Sequence, residues 1–108
     1  VACAERLLAL KPRPTAIFTL NDEMAAGVYK AAYRLGVRIP AQLSVVGFDD
    51  SPIASRLWPS LTTVRLPIRE MGLRAAALLL QEPDAAPSPI TFIPHLVVRE
   101  SCQPPQQE

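Results

Sequence analysis

Short apolar runs alternate along this chain with longer stretches in which apolar residues recur every three or four positions. The short runs lie at residues 16–20 (AIFTL), 44–48 (SVVGF) and 61–66 (LTTVRL). They are rich in β-formers, and the second lacks polar alternation, which is typical of parallel strands covered on both faces. The longer stretches, at 21–36 and 68–81, have helical spacing. The pattern predicts an α/β fold with a Rossmann-like parallel sheet flanked by helices.

The helix after the first apolar run carries the most complete set of local signals. Asn21 is a favoured N-cap, and Asp22 and Glu23 place negative charge at the positive end of the helix dipole. Gly36 suits the left-handed residue that commonly closes a helix. The next strand then follows, so the sequence predicts strand, helix and strand joined as a right-handed parallel crossover.

The remaining segments predict an incomplete sheet. Residues 1–10 have the pattern of a helix, ended by prolines, although a strand should precede it. After the proline-rich connection at 82–89, two short strands are predicted at 90–93 and 96–99. The final residues, 103–108 (QPPQQE), have the composition of a disordered tail.

Composition and charge exclude several classes of function. Eleven basic and ten acidic residues give a net charge of +1, which provides no electrostatic footprint for direct DNA binding. No apolar run is long enough to cross a bilayer. Cys3 and Cys102 lack metal or redox spacing, which favours reduced thiols in a cytoplasmic protein. The chain lacks an initiator methionine and a signal peptide, and we interpret it as the interior of a longer protein.

Two polar side chains stand where predicted parallel strands end. Asn21 follows the first strand and Asp49 follows the second, and ligands of open α/β sheets bind at this edge. An amide beside a carboxylate suits adjacent hydroxyls, as on a sugar or nucleoside. The alternatives are a plain helix cap for Asn21 and a turn carboxylate bonded to local backbone for Asp49. Gly47 would allow a backbone or a ligand to approach closely.

Other chemistry lacks support in the sequence. Asp49 and Asp50 point in different directions and have no third ligand nearby, so a metal site is not indicated. His95, the only histidine, pairs with no nucleophile at a recognisable spacing, and no glycine-rich phosphate loop is present. We therefore expect neither an enzyme nor a cofactor.

Large apolar residues exceed what a small core needs on helices that also face a sheet. Aromatic residues and arginine are enriched at protein interfaces, and the alternative is ordinary core or rim. This favours self-association through Tyr29, Tyr33, Ile53, Arg56, Leu57 and Trp58.

Three segments of the sequence closely resemble the effector-binding core of the LacI/GalR family of bacterial transcription repressors. They are PTAIFTLNDEMAAGVYKAAYRLGVRIPAQLSVVGFDD, PSLTTVRLPIREMG and LVVRES, in family order. The resemblance implies an incomplete periplasmic-binding-protein-like fold of type I. It further implies a small-molecule effector, such as a sugar or nucleoside-like compound, a homodimer, and DNA contact only through a helix-turn-helix domain outside these residues.

The resemblance also assigns roles to individual residues. Asn21 and Asp49 correspond to the family's effector-binding asparagine and aspartate. Leu66 stands where many members have a glutamine, so the cleft loses a polar contact there. The helix near Met24 and the segment 53–58 match the family's dimer surface, which assigns an interface to Met24, Ala25, Val28, Tyr29, Ile53, Arg56, Leu57 and Trp58.

These inferences divide the chain into four parts. Residues 1–66 belong to the C-terminal subdomain, 67–94 pack on an N-terminal subdomain outside this sequence, 95–101 form a returning strand, and 102–108 form the disordered tail. We predict the effector-sensing and dimerisation part of a LacI/GalR-type regulator in the cytoplasm. The alternative is a periplasmic-type sugar-binding protein for transport, which shares the fold.

Overall fold

The computed structural model describes residues 1–81 and 89–105 of the chain. Helices and short strands alternate through most of it. In chain order the elements are α1 (Ala2–Leu8), β1 (Ala16–Phe18), α2 (Asp22–Arg34), β2 (Ser44–Val46), α3 (Pro52–Arg56), β3 (Thr63–Arg65), α4 (Ile68–Leu79) and β4 (His95–Val97).

The strands form two small sheets that meet at the end of β2. β1 and β2 pair in parallel, with Ala16 opposite Ser44 and Phe18 opposite Val46. A single parallel bridge joins Val46 to Thr62, just before β3. β3 then pairs with β4 in the antiparallel sense. The predicted parallel strand–helix–strand unit is therefore present, and the carboxyl ends of β1 and β2 lie at one edge.

Both ends of α2 have the structure that their local sequence predicts. The Oδ1 atom of Asn21 accepts a hydrogen bond of 2.8 Å from the Met24 N–H, as in an N-cap. At the other end Gly36 has a φ of 66°, and the Val37 N–H donates to the Ala32 carbonyl at 2.9 Å. This left-handed glycine with its long return bond is a Schellman motif.

The core lies where α1, α2, α3 and the parallel strands pack together. Small residues on α2 let the helix approach the sheet closely, and branched residues of β2 and of the segment before β3 fill the space below it. The buried apolar side chains are Ala4, Leu8, Ala25, Val28, Ala31, Ala32, Val37, Leu43, Val45, Ala54 and Leu61.

Some predicted elements differ from the structure at their boundaries. The first helix covers Ala2–Leu8 rather than 1–10, and β1 stops at Phe18 because Asn21 already caps the next helix. No strand forms at residues 90–93. The following residue, Pro94, has no N–H to contribute to a ladder. The returning strand covers His95–Val97, whereas the sequence predicts the strand at 96–99 and the returning part of the chain at 95–101.

The beginning of the predicted disordered tail is held against β2. The Ser44 hydroxyl and the backbone of Gln103 exchange hydrogen bonds of 3.0 and 3.1 Å, and the Cys102 thiol contacts the Val45 carbonyl at 3.4 Å. Composition did not show this because the contacts join residues more than 50 positions apart. Residues 106–108, and most of the predicted connection at 82–89, lie outside the described residues.

Helix α4 differs from the other helices because none of its side chains is buried. Ile68, Leu73 and Leu79 are all exposed. Within residues 1–81 and 89–105, no helix combines the length and the apolar character needed to cross a membrane.

Candidate functional site

The ends of three chain segments meet at the carboxyl edge of the parallel strands. The Asp22 N–H donates to the Phe48 carbonyl at 3.0 Å, so the peptide after Asn21 is bonded directly to the peptide before Asp49. The Asp49 N–H in turn donates to the Val64 carbonyl of β3 at 2.8 Å. These two bonds bring the backbones of Asn21 and Asp49 together, as the parallel pairing predicts.

Asn21 caps helix α2, which is the alternative role that the sequence offered for it. Its Oδ1 atom is engaged by the Met24 N–H, and its backbone carbonyl accepts a hydrogen bond of 2.9 Å from the Thr19 hydroxyl. The side chain is half-buried. Its NH₂ group remains available as a donor towards the edge, because the cap uses only the amide oxygen.

Asp49 presents its carboxylate to the outside of the edge. Its φ of 100° lies in the left-handed region that favours glycine. The residue is exposed, and no hydrogen bond to its carboxylate is formed by residues 1–81 or 89–105. Within the described residues, the Asp49 carboxylate is therefore not bonded to local backbone, as the alternative interpretation would require.

Leu66 follows β3 and lies half-buried where the chain enters α4. It lines a shallow apolar depression with Pro67, Ile68 and Leu73. The Leu66 carbonyl accepts a hydrogen bond of 2.9 Å from the Ile68 N–H. Its side chain can offer a ligand only apolar contact. The assignment of Leu66 to the effector cleft stays a prediction.

The neighbouring aspartate, Asp50, is bound by two arginines. Its Oδ2 atom accepts a hydrogen bond of 2.7 Å from the Arg65 Nε, and its Oδ1 atom accepts one of 2.7 Å from an Arg99 Nη. The side chain is only 6% exposed. Burial opposes the charged form, but the hydrogen bonds and charges of Arg99 and Arg65 outweigh it and hold the pKa of Asp50 below its ordinary value.

We expect the Asp50 ion pairs to make stability fall in acid. A carboxyl whose pKa is lower in the folded chain stabilises it fully above the unfolded pKa of about 3.9, and this contribution disappears as pH falls through the folded value. Asp50→Asn should therefore unfold at a lower temperature than the wild type at pH 7, and the difference should shrink below about pH 4. Thermal unfolding from pH 7 to 2.5 measures this. Parallel profiles for the two proteins would contradict it.

A second, buried carboxylate holds the three segments in place. Asp22 is almost completely buried. Its Oδ1 atom accepts a bond of 2.6 Å from the Thr63 hydroxyl, and its Oδ2 atom one of 2.7 Å from the Ser51 N–H. A Cβ on Gly47 would overlap the Asp22 Oδ1 atom and approach the Leu61 Cδ2 to 2.8 Å. From the sequence, Asp22 was expected only to interact with the helix dipole. Gly47, which lies opposite Asp22, was the one residue whose type indicated a close approach at this point.

The predicted interface residues fall into three groups by burial. Ala25 and Val28 lie in the chain's own core, because they are on the face of α2 that packs on the sheet. The interface that we propose below therefore omits them. Met24, Arg56 and Trp58 are exposed, whereas Tyr29, Ile53 and Leu57 are half-buried.

An open apolar groove of about 790 Å³ lies beside the exposed aromatic residues. Tyr33, near the end of α2, is 87% exposed, and Trp58, after α3, is 86% exposed. The Tyr29 hydroxyl donates to the Pro59 carbonyl at 2.8 Å, and burial raises the pKa of Tyr29 to about 12. This bond ties the residue after Trp58 to α2.

Among residues 1–81 and 89–105, no three His, Cys, Asp or Glu side chains are grouped so as to hold a metal ion. His95 lies exposed on β4, at the far end of the β3–β4 pair from the core. The polar groups at the strand edge are an amide and a free carboxylate beside an ion-paired one. This set of groups can hydrogen-bond a polar small molecule.

Residues 1–102 match the family of periplasmic binding protein-like domains. The chain belongs to this family. Among curated relatives, the HTH-type transcriptional regulator MalR of Streptomyces coelicolor is 47% identical over 90 residues, covering 81% of this chain and 26% of MalR. The chain spans less than a third of the length of the curated relatives it matches.

Solved structures of LacI-type regulators share the fold of this chain. A LacI family regulator from Lactobacillus casei with bound sucrose has a TM-score of 0.77 at 33% identity, covering 94% of this chain and 38% of the regulator. The Lac repressor dimer bound to operator and an anti-inducer has a TM-score of 0.84 at 32% identity, covering 94% and 36%. The predicted resemblance to the LacI-type effector core is confirmed, and the relatives are regulators rather than transport proteins.

Proposed function

We propose that this chain is the effector-sensing part of a LacI-type transcriptional regulator, with Asn21 and Asp49 contacting the effector. The observation that carries the proposal is the direct hydrogen bond between the peptides beside these two residues. This bond supports the proposal because it brings the backbones of Asn21 and Asp49 together at the strand edge where ligands of α/β sheets bind. The Asp49 carboxylate is exposed there and accepts no hydrogen bond from residues 1–81 or 89–105. The sucrose held by the Lactobacillus casei regulator supports a sugar as the effector class.

The proposed mechanism is binding without chemical turnover. A sugar hydroxyl donates to the Asp49 carboxylate, and the Asn21 NH₂ donates to a neighbouring hydroxyl oxygen. Leu66 contributes an apolar wall. An effector that binds a closed form of the longer regulator more tightly than an open form shifts its population towards closure. DNA is read by a helix-turn-helix domain of that longer protein in the cytoplasm, and no cofactor takes part.

We also propose that the protein is a homodimer that buries the groove beside Tyr33 and Trp58. Two large aromatic side chains of which more than four-fifths is exposed are unusual on a monomer surface and typical of an interface core. The proposal keeps Arg56 and Met24 as interface residues, although Met24 lines a separate depression against α1 and β1. The dimeric state of the Lac repressor, which shares the fold, supports this assembly.

The test of the effector site uses two substitutions at Asp49. Because Asp49 has a positive φ, Asp49→Gly removes the carboxylate without adding backbone strain, whereas an alanine would confuse the two effects. Losing a hydrogen bond to a charged group costs about 1.5–3 kcal/mol, so affinity should fall roughly 10- to 100-fold. Calorimetric titration of the natural protein with a panel that includes sucrose and glucose measures it.

Asp49→Asn is the matched control because it keeps the shape and tolerates the left-handed conformation. We expect it to bind more weakly than the wild type and more tightly than Asp49→Gly. Wild-type affinity in Asp49→Gly for a sugar that the protein binds would remove Asp49 from the effector site.

A further inference from the structure

The Asp49–Asp50 turn combines an unfavourable backbone with an unusually strong set of restraints. Asp49 has a φ of 100° and Asp50 a φ of 50°. A left-handed backbone at a non-glycine residue costs about 1 kcal/mol or more, and it persists only where the surroundings impose it. The restraint must therefore come from contacts outside the turn.

The contacts of the Asp50 carboxylate supply that restraint. Its Oδ1 atom accepts a hydrogen bond of 2.7 Å from Arg99, and its Oδ2 atom accepts one of 2.7 Å from the Arg65 Nε and lies 2.5 Å from an Arg65 Nη. Charge-assisted bonds of this kind are the strongest that side chains make. With its side chain only 6% exposed, the carboxylate has little water to exchange for them.

The two arginines are themselves anchored in different parts of the fold. Arg65 is the last residue of β3. Arg99 follows β4, and its second Nη donates to the Leu61 carbonyl at 2.9 Å, while its backbone N–H donates to the Thr62 hydroxyl at 2.9 Å. Asp50 is thus bonded both to β3, through Arg65, and to the segment that follows β4, through Arg99.

We infer that Asp50 is a positioning residue for effector recognition: its clamp by Arg65 and Arg99 holds the left-handed turn that aims the Asp49 carboxylate at the ligand edge. This inference rests on the effector role proposed for Asp49. It assigns separate tasks to adjacent aspartates, since Asp49 is free to meet a ligand and Asp50 is buried and ion-paired. The clamp also links the Asp49–Asp50 turn to β3, which leads into α4, and to β4, which follows residues 89–94.

The first test measures how stably the Asp49–Asp50 turn is held in the absence of ligand, by amide hydrogen exchange in the natural protein. Asp50→Gly removes the clamp but suits the positive φ. We expect the Asp49 amide, which donates to Val64, to exchange at least 10-fold faster after correction for intrinsic rates. The Gly47 amide, which donates to Thr62 on the same strand, should change less than 3-fold. Equal acceleration at both amides, or no change at Asp49, overturns the inference.

Variants of the arginines and of a second ion pair sharpen that test. Arg99 is 20% exposed and Arg65 is 59% exposed, so Arg99→Gln should accelerate exchange at Asp49 more than Arg65→Gln does. Glu5→Gln is the matched control, since it breaks an exposed pair with Arg34 far from the turn in sequence and should leave Asp49 unchanged. A larger effect from Arg65→Gln than from Arg99→Gln contradicts the proposed anchoring.

The second test measures affinity for a sugar from the calorimetric panel that the wild type binds. We expect Asp50→Gly to weaken binding at least 5-fold, with Asp50→Asn between it and the wild type. If Asp49→Gly weakens binding as expected and Asp50→Gly leaves it unchanged, the positioning role is wrong while the effector site stands. If neither variant changes affinity, the effector role of Asp49 is wrong, and hydrogen exchange alone decides whether Asp50 holds the turn.

Discussion

Gly47→Ala is expected to destabilise the protein by about 3 kcal/mol, from overpacking combined with damage to buried hydrogen bonds. A Cβ at this position would overlap the Asp22 Oδ1 atom and press on Leu61. Both partners are completely or almost completely buried, so neither can move into solvent. Displacing the Asp22 carboxylate breaks its bonds to Thr63 and Ser51 and leaves a buried charge without donors.

Gly72→Ala is the matched control for that experiment. Gly72 lies in α4 with nothing within 4 Å of an added Cβ, and alanine is the better helix former by about 1 kcal/mol. Urea denaturation should therefore show opposite signs for the same chemical change at the two glycines. A loss of less than about 1 kcal/mol in Gly47→Ala would mean that displacing the Asp22 carboxylate costs little free energy. The role of Asp22 in holding the three chain segments together would then be wrong.

The parts of the fold that the sequence predicts well are those fixed by local signals. The cap of α2 at Asn21 and its end at Gly36 depend on residues within one turn of the helix. The parallel pairing of β1 with β2 follows from two apolar strands separated by a helix. The same topology also brings the backbones of Asn21 and Asp49 together, and this is why their proximity was predictable from one sequence.

The restraints on that edge were not predictable because they join residues that are far apart in the chain. Asp22 and Thr63 are 41 positions apart, and Asp50 and Arg99 are 49 apart. Nothing near Asp50 in sequence shows that it, rather than Asp49, is the buried and paired carboxylate. Gly47 did indicate close approach, but the approaching group is the Asp22 side chain rather than a backbone or a ligand.

The interface stays a prediction, but two of the residues that the family resemblance assigned to it are buried in the core. Ala25 and Val28 lie on α2 with Met24 and Tyr29, yet they point into the core because the sheet covers that side of the helix. Leu57 also packs partly against the core. A charge at Leu57 would therefore disturb folding as well as association, and it is a poor test of a dimer.

Trp58→Glu is the cleaner test, and we expect it to weaken self-association of the natural protein at least 30-fold. Trp58 is 86% exposed, so the substitution removes little from the chain's own core. A buried interface tryptophan typically contributes about 2 kcal/mol or more, and a carboxylate buried in an apolar interface without a partner adds a desolvation cost. Sedimentation velocity across a range of concentrations measures the change.

Trp58→Phe is the control, because it keeps an aromatic side chain and should leave the dimer intact within about 10-fold in affinity. A second readout comes from Trp58 itself, the only tryptophan among these 108 residues. Burial in a dimer should shift its fluorescence to shorter wavelength as concentration rises. The Tyr29 bond to the Pro59 carbonyl holds the backbone beside Trp58 in place before association. An unchanged sedimentation profile in Trp58→Glu would place the dimer contact elsewhere on the molecule.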